Sequence, residues 1–284
     1  MYRISYQKLS PNDITIPSCT QYTSDGKCLY STNTVTLSDG RSYTFTDAEF
    51  HRCSNSGYGG AIDQKNGGNL IITRCIFDTC SSGDRGGAVS FQSAGVFLQE
   101  DNFYFSCSSG TSGALDSMDS HAYPTHTHRY CKYVSNHAVF FAHGSIEYSK
   151  KAVLDSNIYV NGRANGRGNL WAGTVVNYHE QGPILYLNCL FSDGKGCNGG
   201  GLSFLGSANT DTASLSVHFC FFINNFDLDG GTYEIYFAHQ AASCARKELV
   251  LHSFTGTPNS RVYIENNANP IQNWLPATQR DNKY

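Results

Sequence analysis

The chain has 284 residues, enough for one large domain or two modest ones, and its 20 basic and 23 acidic residues give a formal charge of -3. This balance excludes a strongly basic surface of the kind that binds nucleic acid or an anionic membrane. Charged residues make up only 15% of the chain, whereas glycine, serine, threonine, asparagine and aromatic residues are abundant. That mixture favours strands and turns over long helices, so the composition predicts an all-β protein.

Residues 1–40 lack the pattern that dominates the rest of the chain, and they contain Pro11 and Pro17. We expect them to form an N-terminal cap. The stretch after Met1, YRISYQKLSPNDITI, has no continuous apolar segment of the signal-peptide type. No apolar run is long enough to cross a bilayer. A chain that is not exported and not inserted in a membrane is therefore expected.

A sequence motif of 12 or 13 residues occurs three times between residues 50 and 115. It is read as FHRCSNSGYGGAI at 50–62, FDTCSSGDRGGAV at 77–89 and YFSCSSGTSGAL at 104–115. The opening aromatic serves as a register mark, and weaker copies continue downstream at Tyr133, Tyr159, Phe191, Phe222 and Phe254. Self-similarity at intervals of 26 to 32 residues is typical of a solenoid, in which each unit buries its apolar face by stacking on its neighbours.

Each unit reads as three short strands separated by turns. A strand pattern such as LIITRCIF (70–77) precedes the mark, a short strand follows the glycines, as in Gly87-Ala88-Val89, and a third segment such as AGVFLQ (94–99) closes the coil. Three strands and no helix per unit predict a single-stranded parallel β-helix of about eight coils over residues 41–264. We expect the glycines to lie where the chain turns sharply or needs positive φ.

Residues at equivalent positions of stacked coils lie above one another, so the repeat predicts internal ladders. The ladder residues are the aromatics and the residue three positions later: Phe50 and Cys53, Phe77 and Cys80, Tyr104 and Cys107, Asn136 after Tyr133, and Phe222 and Asn225. A second file holds Cys75, Cys189 and Cys220, two residues before the mark. Cysteine suits a small buried position, and asparagine can donate and accept along a stack.

The alternation of GGA[ILV] with FxxN, here GGAI (59–62), GGAV (86–89), SGAL (112–115) and Phe222 to Asn225, resembles the repeat of the chlamydial polymorphic outer membrane proteins. The resemblance implies a right-handed parallel β-helix and, as one possible role, a surface adhesin. Clear motifs cover residues 50–115, and degenerate ones extend to about residue 260.

The segment DSMDSHAYPTHTHRY (116–130) is the best candidate for metal binding. His126 and His128 alternate, so on a strand they would share one face, and Asp116, Asp119 and His121 are close in sequence. The alternative is a protruding loop, indicated by Pro124, with solvated histidines. We favour the loop and expect no bound metal and no cofactor.

The segment NGRANGRGN (161–169) places Arg163 and Arg167 among glycines and asparagines. These arginines are candidates for contact with an acidic partner. No helix start follows them, as a phosphate-binding loop would require. The alternative is an exposed turn without a ligand.

Parallel β-helices commonly host polysaccharide hydrolases and lyases, and the enzyme hypothesis rests on Asp211, in the sequence Asn209-Thr210-Asp211, with Asp227 and Asp229. The motif of pectin-type hydrolases is incomplete here, because Leu228 separates the two later carboxylates. Polar turns between strands explain the same residues. Catalytic residues are therefore not expected.

Residues 265–284, ENNANPIQNWLPATQRDNKY, break the repeat and form a C-terminal tail or cap in which Trp274, between two prolines, is a candidate partner anchor.

The odd number of cysteines, 11, and the absence of CxxC pairs and of Asn-x-Ser/Thr favour a reducing, intracellular environment, cytoplasmic or cytoskeletal. The preferred function is a non-catalytic scaffold or protein-interaction component of a larger assembly. The alternatives are a secreted or surface adhesin and, less favoured, an enzyme that binds polysaccharide.

Overall fold

In the computed structural model, residues 14–15, 27–118, 124–147, 149–164, 173–180, 182–196, 200–206, 214–227, 233–239, 248–252 and 261–266 are described. Every regular element in this part of the chain is a β-strand, so the expected all-β class is confirmed. Among these residues no helix is long and apolar enough to span a bilayer.

The strands follow one another at short intervals. The first half of the chain holds β1 (Ile14–Thr15), β2 (Cys28–Ser31), β3 (Val35–Leu37), β4 (Ser42–Thr46), β5 (Ala48–His51), β6 (Ser54–Asn55), β7 (Ile62–Lys65), β8 (Leu70–Thr73), β9 (Ile76–Asp78), β10 (Ser81–Ser82), β11 (Val89–Gln92), β12 (Val96–Glu100), β13 (Phe103–Phe105), β14 (Ser108–Ser109), β15 (Leu115–Met118), β16 (Thr125–Arg129), β17 (Lys132–Val134) and β18 (His137–Ala138). The second half holds β19 (Phe141–Glu147), β20 (Lys151–Asp155), β21 (Ile158–Val160), β22 (Arg163–Ala164), β23 (Gly173–Glu180), β24 (Pro183–Leu187), β25 (Leu190–Ser192), β26 (Lys195–Gly196), β27 (Leu202–Gly206), β28 (Ser214–His218), β29 (Phe221–Ile223), β30 (Phe226–Asp227), β31 (Tyr233–His239), β32 (Glu248–His252) and β33 (Arg261–Asn266).

These strands form four parallel sheets, in which each strand pairs with the equivalent strands of the coils before and after it. Sheet A contains β1 and every fourth strand from β4 to β32, sheet B contains β2 and every fourth strand from β5 to β29, sheet C contains every fourth strand from β3 to β31 and then β33, and sheet D contains every fourth strand from β6 to β30. This is the architecture of a parallel β-solenoid, as the repeat predicted.

Each coil has four strands, not the three that we expected. The additional strands are the two-residue members of sheet D, such as Ser81–Ser82. They lie in the polar stretch after the register mark, which reads as a turn because two serines carry no strand signal. Seven strands of sheet D are stacked and are therefore separated by six full turns, with partial turns at both ends. The expectation of about eight coils is thus slightly high for the regular part.

The corners on either side of sheet B use residues other than glycine in the left-handed region. In the corner before sheet B these are Asp47, Arg74, Asp101, Tyr130, Ser156, Asn188 and Phe219, and in the corner after it they are Arg52, Thr79, Ser106, Ser135, Asn161, Asp193 and Asn224, all with φ between 52° and 56°. Positive φ is thus not restricted to the glycines, although Gly59 and Gly86 also have it. Such a conformation costs a residue with a Cβ roughly 1–2 kcal/mol, so the hydrogen bonds of the corner must offset it.

The glycines of the GGA motif are required for a different reason. Gly86 has a φ of 64°, and a Cβ on the next residue, Gly87, would lie 2.0 Å from the carbonyl oxygen of Gly113 in the following coil. The chain turns here against the backbone of its neighbour, and only a residue without a side chain fits. The motif is therefore a packing element between sheets D and C.

The core is a continuous column inside the four sheets, and its centre is a stack of aromatic rings from the middle positions of sheet B. The rings are Tyr30, Phe50, Phe77, Tyr104, Tyr133, Tyr159, Phe191 and Phe222, with successive centroids 4.6 to 5.0 Å apart and interplanar angles of 1° to 14°. The in-register pairing of parallel strands enforces this stacking. Phe254, the last register mark, lies outside the described residues.

The strands before residue 41 already belong to the solenoid. β1 pairs with β4 in sheet A, and β2 pairs with β5 in sheet B. At the other end, β33 extends sheet C to residue 266, and residues 267–284 lie outside the described part of the chain.

Candidate functional site

The cysteines and asparagines three residues after the register marks act on the backbone of the preceding coil. The Cys80 thiol donates to the carbonyl of Phe50 at 3.4 Å, and the Cys107 thiol donates to that of Phe77 at 3.5 Å. Asn136 does the same through Nδ2 to the carbonyl of Tyr104 at 3.2 Å, and its Oδ1 accepts from the Cys107 N–H at 2.8 Å. Asparagine therefore satisfies two backbone groups at a corner where cysteine satisfies one.

Asn225 repeats this arrangement near the end of the regular coils. Its Nδ2 donates to the Phe191 carbonyl at 3.0 Å, and its Oδ1 accepts from the Gly194 N–H at 2.9 Å. The ladder side chains Cys53, Cys80, Cys107, Asn136 and Asn225 are buried. Their roles are structural, because each of them completes the hydrogen bonding of a corner.

The second file, two residues before the mark, is longer than the three cysteines that we assigned to it. Its members from coil to coil are Ala48, Cys75, Asn102, Cys131, Asn157, Cys189 and Cys220. Asn102 bridges the Cys75 N–H at 2.9 Å and the Ile72 carbonyl at 2.8 Å. A search for cysteine alone missed Asn102 and Asn157, which occupy the same file, and Cys131 was overlooked although it has the same residue type. Their common offset from the register mark was the available signal.

Burial and hydrogen bonding hold several of the thiols in their neutral form. Burial raises the pKa of Cys75 and of Cys131 to about 12. Hydrogen bonding between neighbouring thiols, together with burial, raises the pKa of Cys53 well above its usual range. Since the thiolate is the reactive form, these cysteines are chemically inert in the folded protein. Cys28, near the N-terminus, is disulfide-bonded.

His126 and His128 lie on β16 and share one face, but that face is the inside of the solenoid. Both side chains are buried, so our expectation of a protruding, solvated loop was wrong for these residues. The Nε2 atom of His126 lies 3.2 Å from the Ser117 hydroxyl, and burial lowers the pKa of His126 to about 3. Burial also places the pKa of His128 well below its usual value.

No group of three or more histidine, cysteine or acidic side chains is arranged to hold a metal ion within the described ranges. His143, on β19, is a third buried imidazole whose pKa falls to about 3 because of desolvation. Its Nδ1 lies 3.1 Å from Nδ2 of Asn136. Asp119 and His121, which we grouped with this segment, lie outside the described residues.

A buried ion cluster includes two carboxylates on neighbouring strands of sheet C. The Arg85 guanidinium lies 3.1 Å from Oε1 of Glu147 and 3.8 Å from Oδ1 of Asp116, and these two carboxylates belong to later coils. The hydroxyls of Ser112 and Ser145 donate to Oδ1 of Asp116 at 2.8 and 2.7 Å. Arg85 thus connects three successive coils.

The carboxylates of this cluster are desolvated. Burial, reinforced by the neighbouring Asp116, raises the pKa of Glu147 to about 7, although Arg85 opposes the shift. Burial also raises the pKa of Asp116, whose Oδ2 atom has no hydrogen-bond partner among the described residues. A raised acid pair would suit acid–base chemistry, but Asp116 is 0% exposed and no substrate can reach it.

The hydrolase candidates are not brought together in the described structure. Asp227 ends the two-residue strand β30, and its side chain is outside what is described. Asp211 and Asp229 lie outside the described residues altogether.

The outward face of sheet B is unusually apolar for a surface. From β9 to β29 the outward positions are the first and third residues of each strand, on either side of the stacked ring. They are Ile76, Asp78, Phe103, Phe105, Lys132, Val134, Ile158, Val160, Leu190, Ser192, Phe221 and Ile223. We call these residues the B face. All but Asp78, Lys132 and Ser192 are apolar.

The exposure of these side chains is greatest at the C-terminal end of the B face. Phe221 is 50% exposed, Ile223 is 43% exposed and Phe105 is 39% exposed. Tyr130 and Phe219, in the corner that leads into sheet B, are also exposed. A strand with one face in solvent usually alternates apolar and polar residues. Three consecutive apolar residues, as in Phe221-Phe222-Ile223, therefore indicate an apolar outer face, and our interpretation of the repeat missed this signal.

Sheet D lies around the next corner and carries a file of basic side chains. The outward residues His137, Arg163 and Lys195 are exposed and are paired in register across β18, β22 and β26. We call these three residues the basic file. Of the partner-binding candidates, Arg163 belongs to this file, whereas Arg167 and Trp274 lie outside the described residues.

Comparison of the chain with protein-family models, with curated proteins and with solved structures found no match. The parallel β-solenoid is established by the structure itself, and kinship with the polymorphic outer membrane proteins has no support from these comparisons.

Proposed function

We propose that this protein is a non-catalytic β-helix that serves as a rigid scaffold or protein-interaction component of a larger assembly, and that the B face is its docking surface. The single observation that carries the proposal is the run of outward apolar side chains on consecutive strands of sheet B, of which Phe105, Phe221 and Ile223 are exposed and the others are partly buried. Monomeric soluble proteins rarely leave a contiguous apolar patch of this kind uncovered unless it binds something.

The rigidity of the face supports this proposal. Each outward residue of the B face flanks an aromatic ring that is buried in the central stack, and neighbouring coils are joined by hydrogen bonds on both sides. Binding to such a preformed surface costs less conformational entropy than binding to a surface that must first become ordered. Contacts by Phe221 and Ile223 would bury apolar area worth roughly 25 cal/mol per Å².

The chemistry of the titratable groups also favours binding over catalysis. The buried cysteines Cys75 and Cys131 are protonated, the inward histidines are neutral, and the Asp116–Glu147 pair is closed off by Arg85. These groups have structural partners in the coil. We propose an intracellular location, cytoplasmic or cytoskeletal, on the basis of the free, buried thiols.

Charge substitution on the B face tests the proposal. We expect Phe221→Asp and Ile223→Asp, tested singly, to reduce recovery of the partner from source-cell lysate at least tenfold relative to the wild-type chain. Both side chains point outward, so folding should be retained, which circular dichroism and the melting temperature would verify. Chemical cross-links from the recovered partner should map to sheet B.

Val139→Asp is the matched control, because Val139 is 44% exposed but lies outside sheet B. It should leave recovery unchanged. Equal recovery by the wild-type chain and by both B-face variants, with all of them folded, would reject the B face as a docking surface.

A surface adhesin similar to the polymorphic outer membrane proteins is the second candidate. The observation in its favour is the disulfide at Cys28, since such bonds persist in oxidising compartments. Fractionation of source cells separates the two proposals. Recovery in the surface fraction with Cys28 oxidised would favour the adhesin, whereas cytosolic recovery with Cys28 reduced would favour the intracellular scaffold.

A further inference from the structure

We infer that the B face and the basic file together bind an acidic polypeptide segment, whose apolar side chains cover the B face and whose carboxylates pair with Arg163 and Lys195. This inference rests on the proposed function and specifies the chemistry of the partner.

The basic file has an arrangement that needs an external counter-charge. Arg163 and Lys195 are direct neighbours across β22 and β26, so their backbones are about 4.8 Å apart. Like charges in directly paired positions destabilise a sheet. None of the ion pairs between described residues involves Arg163, Lys195 or His137. The repulsion is therefore not relieved by an acidic side chain within the described coils.

Some exposed cations of the described chain have acidic neighbours, whereas Arg52, Lys132, Lys150 and Lys151 are exposed and belong to none of the ion pairs between described residues. Arg74 makes a bidentate contact with Asp47, with both nitrogen–oxygen distances at 2.7 Å. Lys27 lies 3.1 Å from Glu49. Arg163 and Lys195 differ from the other cations without an ion pair because they are direct neighbours on two paired strands, where their charges repel each other.

The basic file and the B face meet at one corner of the same coils. Val160 is followed by two corner residues and then Arg163, and Ser192 is followed in the same way by Lys195. One element lying along the solenoid axis can therefore contact apolar side chains on one side and cations on the other. Beyond Lys195 the file continues as Phe226, which is 50% exposed, next to the most exposed end of the B face.

The width of the B face argues for a segment and against a globular partner or a second copy of this chain. Strands of three residues make the face roughly 10 Å wide, and the strands from β9 to β29 extend it to about 24 Å along the axis. A typical protein–protein interface buries about 800 Å² per partner, several times the area of this strip. An extended chain spans the strip with about eight residues.

Binding of a synthetic probe to the full chain tests the inference. The probe is a fluorescein-labelled peptide of twelve residues in which glutamate alternates with leucine and serine, and the readout is fluorescence anisotropy at low salt. We expect saturable binding that weakens as salt is added. The double variant Arg163→Glu/Lys195→Glu should weaken binding at least tenfold. The same peptide with glutamine in place of glutamate should bind as weakly to the wild-type chain.

Lys150→Glu/Lys151→Glu is the matched control, because it makes the same change in net charge at two exposed lysines beside sheet A. It should change binding less than twofold. An equal loss in both double variants would show a nonspecific charge effect and overturn the inference. The absence of saturable binding by the wild-type chain below about 1 mM peptide would also overturn it.

Polygalacturonate supplies the competing chemistry, an acidic polysaccharide. If the wild-type chain binds polygalacturonate through Arg163 and Lys195 but does not bind the peptide, the inference is wrong.

If Phe221→Asp abolishes recovery of the cellular partner while Arg163→Glu/Lys195→Glu leaves both that recovery and peptide binding intact, the inference fails and the proposed function stands. If neither change affects recovery, the proposed function fails as well.

Discussion

Single side chains at the corners of the coils decide whether the backbone of this solenoid is fully hydrogen-bonded. Cysteine and asparagine both occur in each of the two files because both can donate to the carbonyl of the preceding coil. Asparagine also accepts from a backbone N–H at short distance, as Asn136 does from Cys107 at 2.8 Å, whereas the Cys220 sulfur accepts from the Cys189 N–H at 3.4 Å. The two residue types are therefore partly interchangeable, and the asparagines carry the larger share of the hydrogen bonding.

Replacement of Asn136 tests this difference. Asn136→Ala leaves the Tyr104 carbonyl and the Cys107 N–H without their partner inside the protein, so we expect it to lower the free energy of unfolding by about 2–4 kcal/mol. Asn136→Cys keeps a donor and should cost less than Asn136→Ala. Urea unfolding measures both, with the outward residue Ser81→Ala as a neutral control. A loss below 0.5 kcal/mol, roughly that of a surface substitution, would contradict the assigned role.

Glu147 makes stability depend on pH in the direction opposite to that of an ordinary ion pair. Its pKa is about 7 in the folded protein, above its usual value of 4.5, so the folded state retains the proton longer than the unfolded state. The stabilisation is complete below about pH 4.5 and is lost as pH rises through 7. A difference of this size corresponds to about 3 kcal/mol.

Glu147→Gln should remove this loss. We expect the variant to be more stable than the wild-type chain at pH 8 and about equal to it at pH 5, as measured by urea unfolding at the two pH values. Glu100→Gln, on sheet A, is the control for the general effect of replacing a glutamate by glutamine. The assignment would be wrong if Glu147→Gln were less stable than the wild-type chain at pH 8.

At the scale of the elements, the GGA motif joins sheets D and C by close backbone packing. Strands of sheet D have only two residues, so their register depends on the corner before them and on the glycine turn after them. The clash that a Cβ at Gly87 would make with the Gly113 carbonyl concerns backbone atoms, which a rotamer change cannot relieve.

Two glycine-to-alanine substitutions separate this packing role from the general effect of removing a glycine. Gly87→Ala should destabilise the protein by about 3 kcal/mol or more, because one coil must move away from the next. Gly57→Ala should change stability by less than about 1 kcal/mol, since the nearest atom to its added Cβ is Oδ1 of Asn55 at 3.8 Å. Thermal unfolding compares them, and similar melting temperatures for the two variants would refute the packing role.

At the scale of the whole molecule, stability is propagated from coil to coil. Most contacts join a coil to its immediate neighbours, as in other solenoids. The Arg85 cluster is an exception because it connects three coils in the middle of the stack. The aromatic stack from Tyr30 to Phe222 extends the same continuity through the core.

Hydrogen exchange should reflect this linear arrangement. We expect amides in β8 to β21, which have hydrogen-bonded coils on both sides and include the Arg85 cluster, to exchange more slowly than amides in β2 and β3. Native-state exchange with mass spectrometry measures the gradient. Uniform protection from β2 to β29 would mean that the solenoid opens as a single unit.

The spacing of Phe50, Phe77 and Tyr104 was sufficient to predict the parallel β-helix, because a solenoid repeats its sequence wherever it repeats its contacts. The same offset placed Cys53, Cys80 and Cys107 in one file. These inferences needed only the period of the chain. By contrast, the period does not predict the fourth strand of each coil, the non-glycine corners or the inward direction of His126. These features depend on how each corner turns, and hydrogen bonds to the next coil determine the corner.

The Arg85 cluster and the B face were also decided by tertiary structure. Arg85 is 62 residues from Glu147 in the chain, and only the stacking of coils brings their charged groups together. The residues beside each register mark were visible as apolar, but their exposure follows from the corners that turn sheet B outward. The sequence by itself determined the repeat and its register, because these are local and periodic. Which faces are closed and which remain open to a partner is a property of the assembled stack.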